Sequence, residues 1–279
     1  MTAQIWGTLD PAATVDEAVV ASVYGHLRGN LGWPEPHARS RAEQELLNTI
    51  GKAALATFAS VLPVEGKRIL DLGSGTGGAA LEFARAGAVV TALEPWDEWV
   101  RLIGRRFEAA GLSATVCHGH GEAIPADDES FDGIVSLQVL EHVRDPALVI
   151  REAYRVLKPG GYFLLGCENY LSFWEPHYRV RWFPLLPKRL GSLWLRGLGR
   201  SPEFLQTSIT YVTQPGVLRA MRRAGFVCLR DLQVRSKLRD LVGVALPDRL
   251  ASLLVRAESA RRLFSPDFSE IFLKPRRAD

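Results

Sequence analysis

The sequence lacks several features that would place it outside ordinary globular proteins. Its three cysteines among 279 residues stand far apart without C-x-x-C spacing, which argues against a disulfide framework and a zinc cluster. No segment approaches the roughly 20 consecutive apolar residues that cross a bilayer, and the first residues lack the basic and apolar regions of a signal peptide. We therefore expect a cytoplasmic protein whose cysteines are buried thiols.

Excess charge is also missing, because the net charge is only +3 with 23% charged and 47% hydrophobic residues. This composition excludes a disordered chain and gives no indication of a polyanionic partner. One segment departs from the balance: residues 179–200 contain six basic side chains and no acid.

The most informative stretch that is present is a short apolar strand that ends at Asp71 and is followed by Gly73, Gly75 and Gly77. Glycines let the backbone approach a ligand closely, and the N-terminus of a following helix attracts an anionic group. The spacing also fits the dinucleotide fingerprint G-x-G-x-x-G, with Glu94 about 20 residues further on. The turn alone therefore leaves two cofactor classes open.

The motifs that follow this turn decide between the two classes. In chain order they are Glu94, Glu122-Ala123-Ile124-Pro125, Ser130-Phe131-Asp132, Leu140-Glu141-His142-Val143 and Leu157-Lys158-Pro159-Gly160-Gly161. As a set they resemble the class I S-adenosylmethionine-dependent methyltransferases, in particular the small-molecule enzymes, over about residues 66–166. The resemblance implies S-adenosylmethionine as cofactor and S-adenosylhomocysteine as product.

Strand patterns near 68–72, 88–94, 114–118, 131–137 and 161–167 alternate with helical patterns, which predicts an α/β fold with a parallel sheet. The resemblance implies seven strands in the order 3-2-1-4-5-7-6, the last antiparallel, with helices on both faces. The predicted organisation is an N-terminal helical extension (1–65), a cofactor-binding core (66–167), a lid (168–212) and the C-terminal part of the core (213–279). Within the last part, residues 236–266 are predicted to be a helical insertion.

Two helices have boundary or packing signals of their own. Leu47, Ile50, Ala54 and Phe58 recur at three- and four-residue steps, which predicts one apolar stripe against the sheet. A second helix is predicted to start at Asp145 and to end at Gly160-Gly161.

The resemblance assigns the cofactor site residue by residue. The glycines with Ser74 surround the methionyl part, Asp71 fixes their loop, and the Glu94 carboxylate accepts hydrogen bonds from the ribose diol. At the adenine position many relatives have an aspartate where this chain has His120, which either contacts the ring or faces solvent; His118 is predicted to be structural. The predicted cofactor-binding residues are Asp71, Gly73, Ser74, Gly75, Gly77, Glu94, Pro95, Trp96, His120, Gly121, Glu122 and Gln138.

Residues 138–142 follow the fourth strand and face the acceptor. Some quinone-biosynthetic relatives bind a metal through a Glu-x-x-Glu-His series here, but the first member in this chain is Gln138, whose neutral amide is a poorer ligand for a hard cation. We therefore predict no metal and assign Gln138 to the cofactor. Glu141 and His142 are interpreted either as a structural pair at a helix start or, for His142, as catalytic.

The predicted lid contains His177, the candidate general base because an unperturbed imidazole pKa of about 6.5 suits proton removal near neutrality. Tyr178, Glu175 and Asn169 are candidates to orient it or the acceptor, with Tyr178 counted among the catalytic residues. The alternative interpretation is a histidine that holds the lid together among aromatic side chains.

Basic and apolar residues also alternate in 179–200, which suits contact with an anionic membrane surface or packing of one helix face on the core. Either interpretation is compatible with a small-molecule or lipid-like acceptor such as a glycolipid, polyketide or sugar. Methyl transfer to oxygen is the predicted reaction. A nicotinamide oxidoreductase, a non-catalytic S-adenosylmethionine-binding protein and an RNA methyltransferase remain as alternatives, although the modest charge disfavours a nucleic-acid partner.

Overall fold

The computed structural model describes residues 13–231 and 263–276. Its helices are α1 (Val15–Gly25), α2 (Glu35–Gln44), α3 (Thr49–Ala59), α4 (Gly78–Arg85), α5 (Asp97–Ala109), α6 (Pro146–Val156), α7 (Lys188–Gly197), α8 (Glu203–Thr207) and α9 (Gln214–Ala224). Its strands are β1 (Arg68–Leu72), β2 (Val89–Glu94), β3 (Thr115–His118), β4 (Phe131–Leu137), β5 (Leu157–Glu168), β6 (Trp174–Glu175), β7 (Val180–Arg181), β8 (Val227–Cys228) and β9 (Asp267–Leu273).

Seven of these strands form one sheet in the order β3-β2-β1-β4-β5-β9-β8. The strands from β3 to β5 are parallel to their neighbours, and β9 runs antiparallel between β5 and β8. The predicted α/β fold is confirmed. The predicted order numbered core strands only, and the last two numbers differ because β6 and β7 pair separately as a two-stranded sheet.

Alternate residues of β1 reach opposite faces of the sheet, as the two-residue period of a strand requires. Leu70 and Leu72 pack in the buried cluster that also contains residues of α6 and α9. Ile69 packs in a second cluster, with residues of α3, α4 and α5. Helices therefore cover both faces, and the ends of β1, β2 and β4 meet at one edge.

Helix α3 covers the sheet as predicted, but its buried face is different from the predicted stripe. Ala54 and Phe58 are buried, whereas Leu47 and Ile50 are 58% and 54% exposed. The contact on that turn is made by Gly51, where an added Cβ would lie 2.7 Å from the carbonyl oxygen of Gly78. The helix approaches α4 through its backbone, which an apolar pattern does not reveal.

Helix α6 starts as predicted, because the Asp145 side chain accepts from the Leu148 N–H and Pro146 is the first helical residue. The predicted end at Gly160-Gly161 is wrong, since the helix ends at Val156 and β5 begins at once. Pro159 explains the difference: it disfavours helical backbone at the residue before it.

The N-terminal segment and the segment after β5 share one hydrophobic cluster. It joins Leu27, Leu31 and Trp33 to Tyr178, Trp182, Leu195, Phe204, Leu205 and Ile209, among others. We refer to residues 23–38 and 170–211 as the cap. The Trp33 indole N–H donates to the His177 carbonyl oxygen at 2.5 Å and the Arg179 guanidinium lies 5.0 Å from the Trp33 ring, so the two segments hold each other.

Most of the predicted helical insertion at 236–266 lies outside the described residues. Within the described ranges, none of the helices combines the length and the apolar character needed to cross a membrane.

Candidate cofactor and acceptor site

The glycine turn between β1 and α4 depends on a backbone conformation that glycine adopts readily. Gly73, Gly75 and Gly77 have φ values of +75°, +56° and +81°. The N–H groups of Gly73 and Ser74 both donate to the Leu93 carbonyl oxygen, at 2.9 and 3.0 Å. Because side chains with a Cβ rarely adopt positive φ, these glycines fix the shape of the turn beside β2.

The turn is also closely packed from outside. A Cβ at Gly73 would lie 2.5 Å from Val139 Cγ2, and one at Gly75 would lie 3.5 Å from the Trp99 ring. Trp99 in turn donates its indole N–H to Ser22 Oγ on α1 at 2.8 Å. Helix α1 therefore supports the glycine turn through Trp99, a contact that no sequence motif indicated.

Asp71 fixes the turn in the predicted way. Its Oδ2 accepts from the Ser74 hydroxyl at 2.6 Å and from the Ala80 N–H at 3.1 Å. Burial raises the pKa of Asp71 to about 6, although these hydrogen bonds favour the ionised form. A contact of Asp71 with the cofactor's amino group stays a prediction.

Glu94 ends β2 with its side chain turned into the protein, and the residue is only 2% exposed. One carboxylate oxygen accepts from the Gly75 N–H at 2.8 Å and the other from the Trp96 N–H at 3.2 Å. Burial raises the pKa of Glu94 to about 8. Each oxygen retains a lone pair after these contacts, so the carboxylate has the capacity to accept the ribose diol as well.

On the predicted adenine side, His120 is exposed and Gly121 is half-buried. The Glu122 carboxylate accepts from the Arg144 N–H at 3.0 Å, which ties this loop to the start of α6. His118 lies 2.9 Å from the Pro95 carbonyl oxygen, in keeping with its structural interpretation. Adenine contacts by His120 and Trp96 stay predictions.

Two buried acids, Glu141 after β4 and Glu168 at the end of β5, lie close together. In the amide orientation that satisfies its neighbours, the Gln138 nitrogen donates to Glu141 at 2.7 Å and to Glu168 at 2.8 Å. Burial raises the pKa of Glu141 to about 7 and that of Glu168 to about 8. The Gln138 amide N–H groups therefore face two carboxylates, which the expected role in cofactor binding did not anticipate.

His142 and His177 meet beside these acids. Their Nε2 atoms are 3.3 Å apart, while His177 Nδ1 lies 3.0 Å from Glu175 Oε1. Desolvation lowers the pKa of His177, but the Glu175 carboxylate, aided by Glu168 and Glu141, raises it to about 9. The predicted contact with Glu175 is present, whereas the argument from an unperturbed imidazole pKa does not hold for His177.

His142 differs from its partner because it has solvent access. Desolvation within the cleft and the nearby charge of His177 lower the pKa of His142. Phe204 packs against both rings, and His26 of the N-terminal segment also packs against Phe204, with ring centroids 5.1 Å apart. His26 belongs to no motif, and only the folded chain brings it near the site.

The surroundings of Tyr178 lend no support to the catalytic role expected of it. Its side chain is fully buried in the cap, where the hydroxyl accepts from the Leu205 N–H at 3.1 Å. The Asn169 amide does not orient His177 either, because its nitrogen donates to the carbonyl oxygens of Leu263 and Ser265. Tyr178 therefore helps to hold the cap together, whereas Asn169 ties the residue after β5 to residues 263 and 265.

The core of this chain is similar in sequence to known proteins. Residues 70–165 match the family model described as a methyltransferase domain. Over 114 residues the chain is 39% identical to the demethylmenaquinone methyltransferase of Clavibacter sepedonicus. These residues make up 41% of this chain and 46% of that protein. Over 190 residues it is 27% identical to a ubiquinone biosynthesis O-methyltransferase of Cereibacter sphaeroides, covering 63% and 76% of the two chains. The chain thus spans less than half the length of the first of these relatives.

The fold is similar to the crystal structure of an S-adenosylmethionine-dependent methyltransferase from Mesorhizobium loti, with a TM-score of 0.51 at 22% identity over 78% of this chain and 97% of that one. At this identity the likeness concerns the fold alone. Residues 70–165 thus match a methyltransferase domain, and the strand order and the glycine turn after β1 are those that the resemblance to the class I S-adenosylmethionine-dependent methyltransferases implied.

Proposed function

We propose that this protein transfers the methyl group of S-adenosylmethionine to an oxygen atom of a small-molecule or lipid-like acceptor. The observation that carries the reaction class is the methyltransferase-domain match over 70–165, which includes the glycine turn and Glu94. The methyl group is already activated by its positively charged sulfur. The protein therefore has to align the acceptor with that methyl group and to accept a proton from a hydroxyl.

The cofactor would lie over the glycine turn, with its ribose against Glu94 and its methionyl part near Asp71 and Ser74. Two features support this placement: the glycines hold the turn at positive φ, and the Glu94 carboxylate already points into the turn through its contact with the Gly75 N–H. The adenine would then face Trp96, which is 38% exposed.

The acceptor hydroxyl would lie against His142 at the end of β4. His142 has solvent access and contacts His177, which is half-buried and paired with the buried Glu175; this pair would stabilise a proton taken from the acceptor. The ubiquinone biosynthesis relative is named an O-methyltransferase, which supports oxygen as the methylated atom.

The test is turnover with a panel of hydroxylated aromatic and lipid-like acceptors, followed by S-adenosylhomocysteine release and by the mass of the methylated product. We expect His142→Gln to lower kcat by about 10²-fold with little change in the affinity for S-adenosylhomocysteine. His118→Gln is the matched control, because that exposed histidine contacts Pro95 rather than the acid cluster.

Other outcomes would favour the alternatives. Cofactor binding without turnover of any acceptor would indicate a non-catalytic binding protein, and binding of a nicotinamide cofactor in place of S-adenosylhomocysteine would contradict the proposal. RNA binding that weakens steeply with salt would redirect the search to a nucleic-acid acceptor.

A second part of the proposal is contact of α7 with an anionic membrane surface. Leu190, Leu193 and Trp194 of this helix are exposed and line a groove of about 400 Å³ with Phe183 and Leu186. Arg189 and Arg196 are exposed on the same helix, and no ion pair between described residues involves either of them. Apolar side chains flanked by free positive charge fit the interface of anionic lipids.

Sedimentation with vesicles of phosphatidylcholine alone or with phosphatidylglycerol tests this contact. We expect binding only to the anionic vesicles, and a loss of at least about tenfold in partitioning for Leu193→Glu. Leu47→Glu is the control, since that leucine is also exposed but lies in the N-terminal segment. Equal sedimentation of all variants, or none with either vesicle, would contradict the membrane contact and leave the methyl-transfer proposal intact.

A further inference from the structure

The two imidazoles at the boundary between core and cap face each other in an unusual way. His142 Nε2 and His177 Nε2 are 3.3 Å apart. On the far side of each ring the Nδ1 atom lies close to a hydrogen-bond acceptor: 2.9 Å from the Ser208 carbonyl oxygen for His142 and 3.0 Å from Glu175 Oε1 for His177. If both Nδ1 atoms carry protons for these acceptors, both Nε2 atoms present lone pairs to the same point.

That separation matches a pair of ligands on one metal ion. Two nitrogens that bind Zn²⁺ at about 2.0–2.1 Å with tetrahedral angles lie about 3.3–3.4 Å apart. Metal-bound histidines also commonly donate their second N–H to a carboxylate or a backbone carbonyl, which are the two groups found here. The arrangement of Ser208 and Glu175 is therefore that of outer partners that hold two ligating rings in place.

A third donor completes the set. A Glu141 carboxylate oxygen and one ring nitrogen from each of His142 and His177 all lie within 4.8 Å of one another. Glu141 is fully buried, and its Oε2 has no hydrogen-bond partner among the described residues. A buried carboxylate oxygen without a partner is costly, and a bound cation would remove that cost.

The charge of the surroundings points the same way. Glu141, Glu168 and Glu175 are all buried around the imidazole pair. Carboxyl groups so far from water either take up a proton or face a positive charge, and a metal ion bound between the imidazoles would supply that charge.

We propose that His142, His177 and Glu141 form a binding site for a divalent transition-metal ion, with Zn²⁺ the best match to the ligands. Two imidazoles and one carboxylate are a common three-residue set for zinc, with a further position open, and they suit a hard cation such as Mg²⁺ poorly. Solvent access at His142 leaves room for that open position. Since a bound ion would occupy the His142 Nε2 lone pair, an acceptor hydroxyl would then lose its proton through contact with the ion, and His142 would accept the proton only in the metal-free chain. Because His177 belongs to the cap and the other two residues follow β4, a bound ion would fasten the cap to the core.

This ligand set differs from the Glu-x-x-Glu-His series of some quinone-biosynthetic relatives. Gln138 stands at the first position of that series, and its amide donates to Glu141 and Glu168. The additional ligand is His177, 35 residues after His142. A metal at this place depends on the folded cap.

The experiment measures metal on the full chain without reference to turnover. The protein is stripped with a chelator and titrated with Zn²⁺ or Mg²⁺ against a competing chelator, and bound metal is counted by elemental mass spectrometry. We expect about one Zn²⁺ per chain and no comparable Mg²⁺ binding. We also expect Zn²⁺ to raise Tm, since a ligand that binds only the folded state stabilises it.

Matched variants test the ligands. His142→Gln and His177→Gln should each weaken Zn²⁺ binding at least about a hundredfold, and Glu175→Gln about 10–100-fold through the outer contact. His118→Gln should bind Zn²⁺ like the wild type. Circular dichroism of the stripped variants establishes that each is folded, and the tetrahedral Co²⁺ absorption bands should be lost with the ligands.

Stoichiometric binding that survives in a folded His142→Gln/His177→Gln double variant would overturn the proposal, as would a wild type that binds no Zn²⁺. Neither result would affect the proposed methyl transfer, whose readout is S-adenosylhomocysteine. Zn²⁺ binding without turnover of any acceptor would support the metal site and count against the proposed methyl transfer.

Discussion

The glycine turn and the histidine pair belong to one site but are built in opposite ways. In the turn, the contacts join residues close in sequence: Ser74 to Asp71, three positions apart, and Gly75 to Glu94, 19 positions apart. The histidine pair depends on distant segments, since His177 meets His142 across 35 positions and its carbonyl oxygen accepts from Trp33 across 144. A short motif can therefore specify the turn but not the pair.

Because of this difference, the two regions tolerate different amino-acid substitutions. The turn is held by backbone geometry that few residues other than glycine can adopt, whereas the cap is held by apolar packing between two segments that sequence analysis treated as separate units. We therefore expect substitutions in the cap to cost more stability than substitutions in the turn.

The largest effect is expected in the cap. Trp33→Ala should lower the free energy of unfolding by about 3 kcal/mol, because a buried indole and its hydrogen bond to His177 are lost. Hydrogen exchange should rise in residues 170–211 of the cap, while the affinity for S-adenosylhomocysteine changes little. Trp194→Ala is the control, since that ring is 43% exposed. Equal losses in the two variants, measured by chemical denaturation, would show that the two cap segments are not coupled through Trp33.

A smaller effect is expected in the turn. Gly73→Ala should cost about 2 kcal/mol, from the positive φ and from the collision of the new Cβ with Val139. Gly111→Ala isolates the backbone part, because Gly111 also has a positive φ but no atom within 4 Å of an added Cβ. The Gly73→Ala/Val139→Ala pair should recover part of the difference relative to Val139→Ala, and absence of any recovery would contradict the collision.

The smallest effect concerns the charge of Glu94. Since burial raises its pKa from 4.5 to about 8, the folded chain binds the proton more tightly than the unfolded chain does. The stability contributed by this group is fully present below pH 4.5 and is lost as the pH rises through about 8. Glu94→Gln should therefore flatten the dependence of Tm on pH in this window.

Above pH 8, where Glu94 is ionised, the same substitution should weaken S-adenosylhomocysteine binding about tenfold, or about 1.4 kcal/mol, because an amide cannot accept both hydroxyl groups of the ribose. Asp97→Asn, an exposed acid in the first turn of α5, is the control for both measurements. Unchanged affinity by calorimetry would remove the ribose assignment, and an unchanged pH slope would remove the protonated carboxyl.

Much of the core was predictable because its signals are local. The structure confirms the strand predicted at 131–137, Asp145 as the N-cap residue of α6, and the antiparallel last strand. The predicted apolar stripe of α3 was wrong because the helix packs through Gly51 rather than Ile50. The Tyr178 hydroxyl, which was expected at the acceptor, accepts a hydrogen bond from the backbone of α8. The sequence could not show that Glu168 accepts from Gln138 or that His26 packs against Phe204 beside the site, because both contacts depend on how distant segments pack.

What the sequence alone determined is the methyltransferase core, since alternating strands and helices, glycines at positive φ and a carboxylate at the end of β2 are all encoded within short stretches of chain. What only the tertiary structure decided is the composition of the acceptor side, where His142, His177 and three buried acids converge. The reason is that the pKa of a side chain and its partners depend on burial and on the charges around it, and both arise only when the two cap segments close over the core.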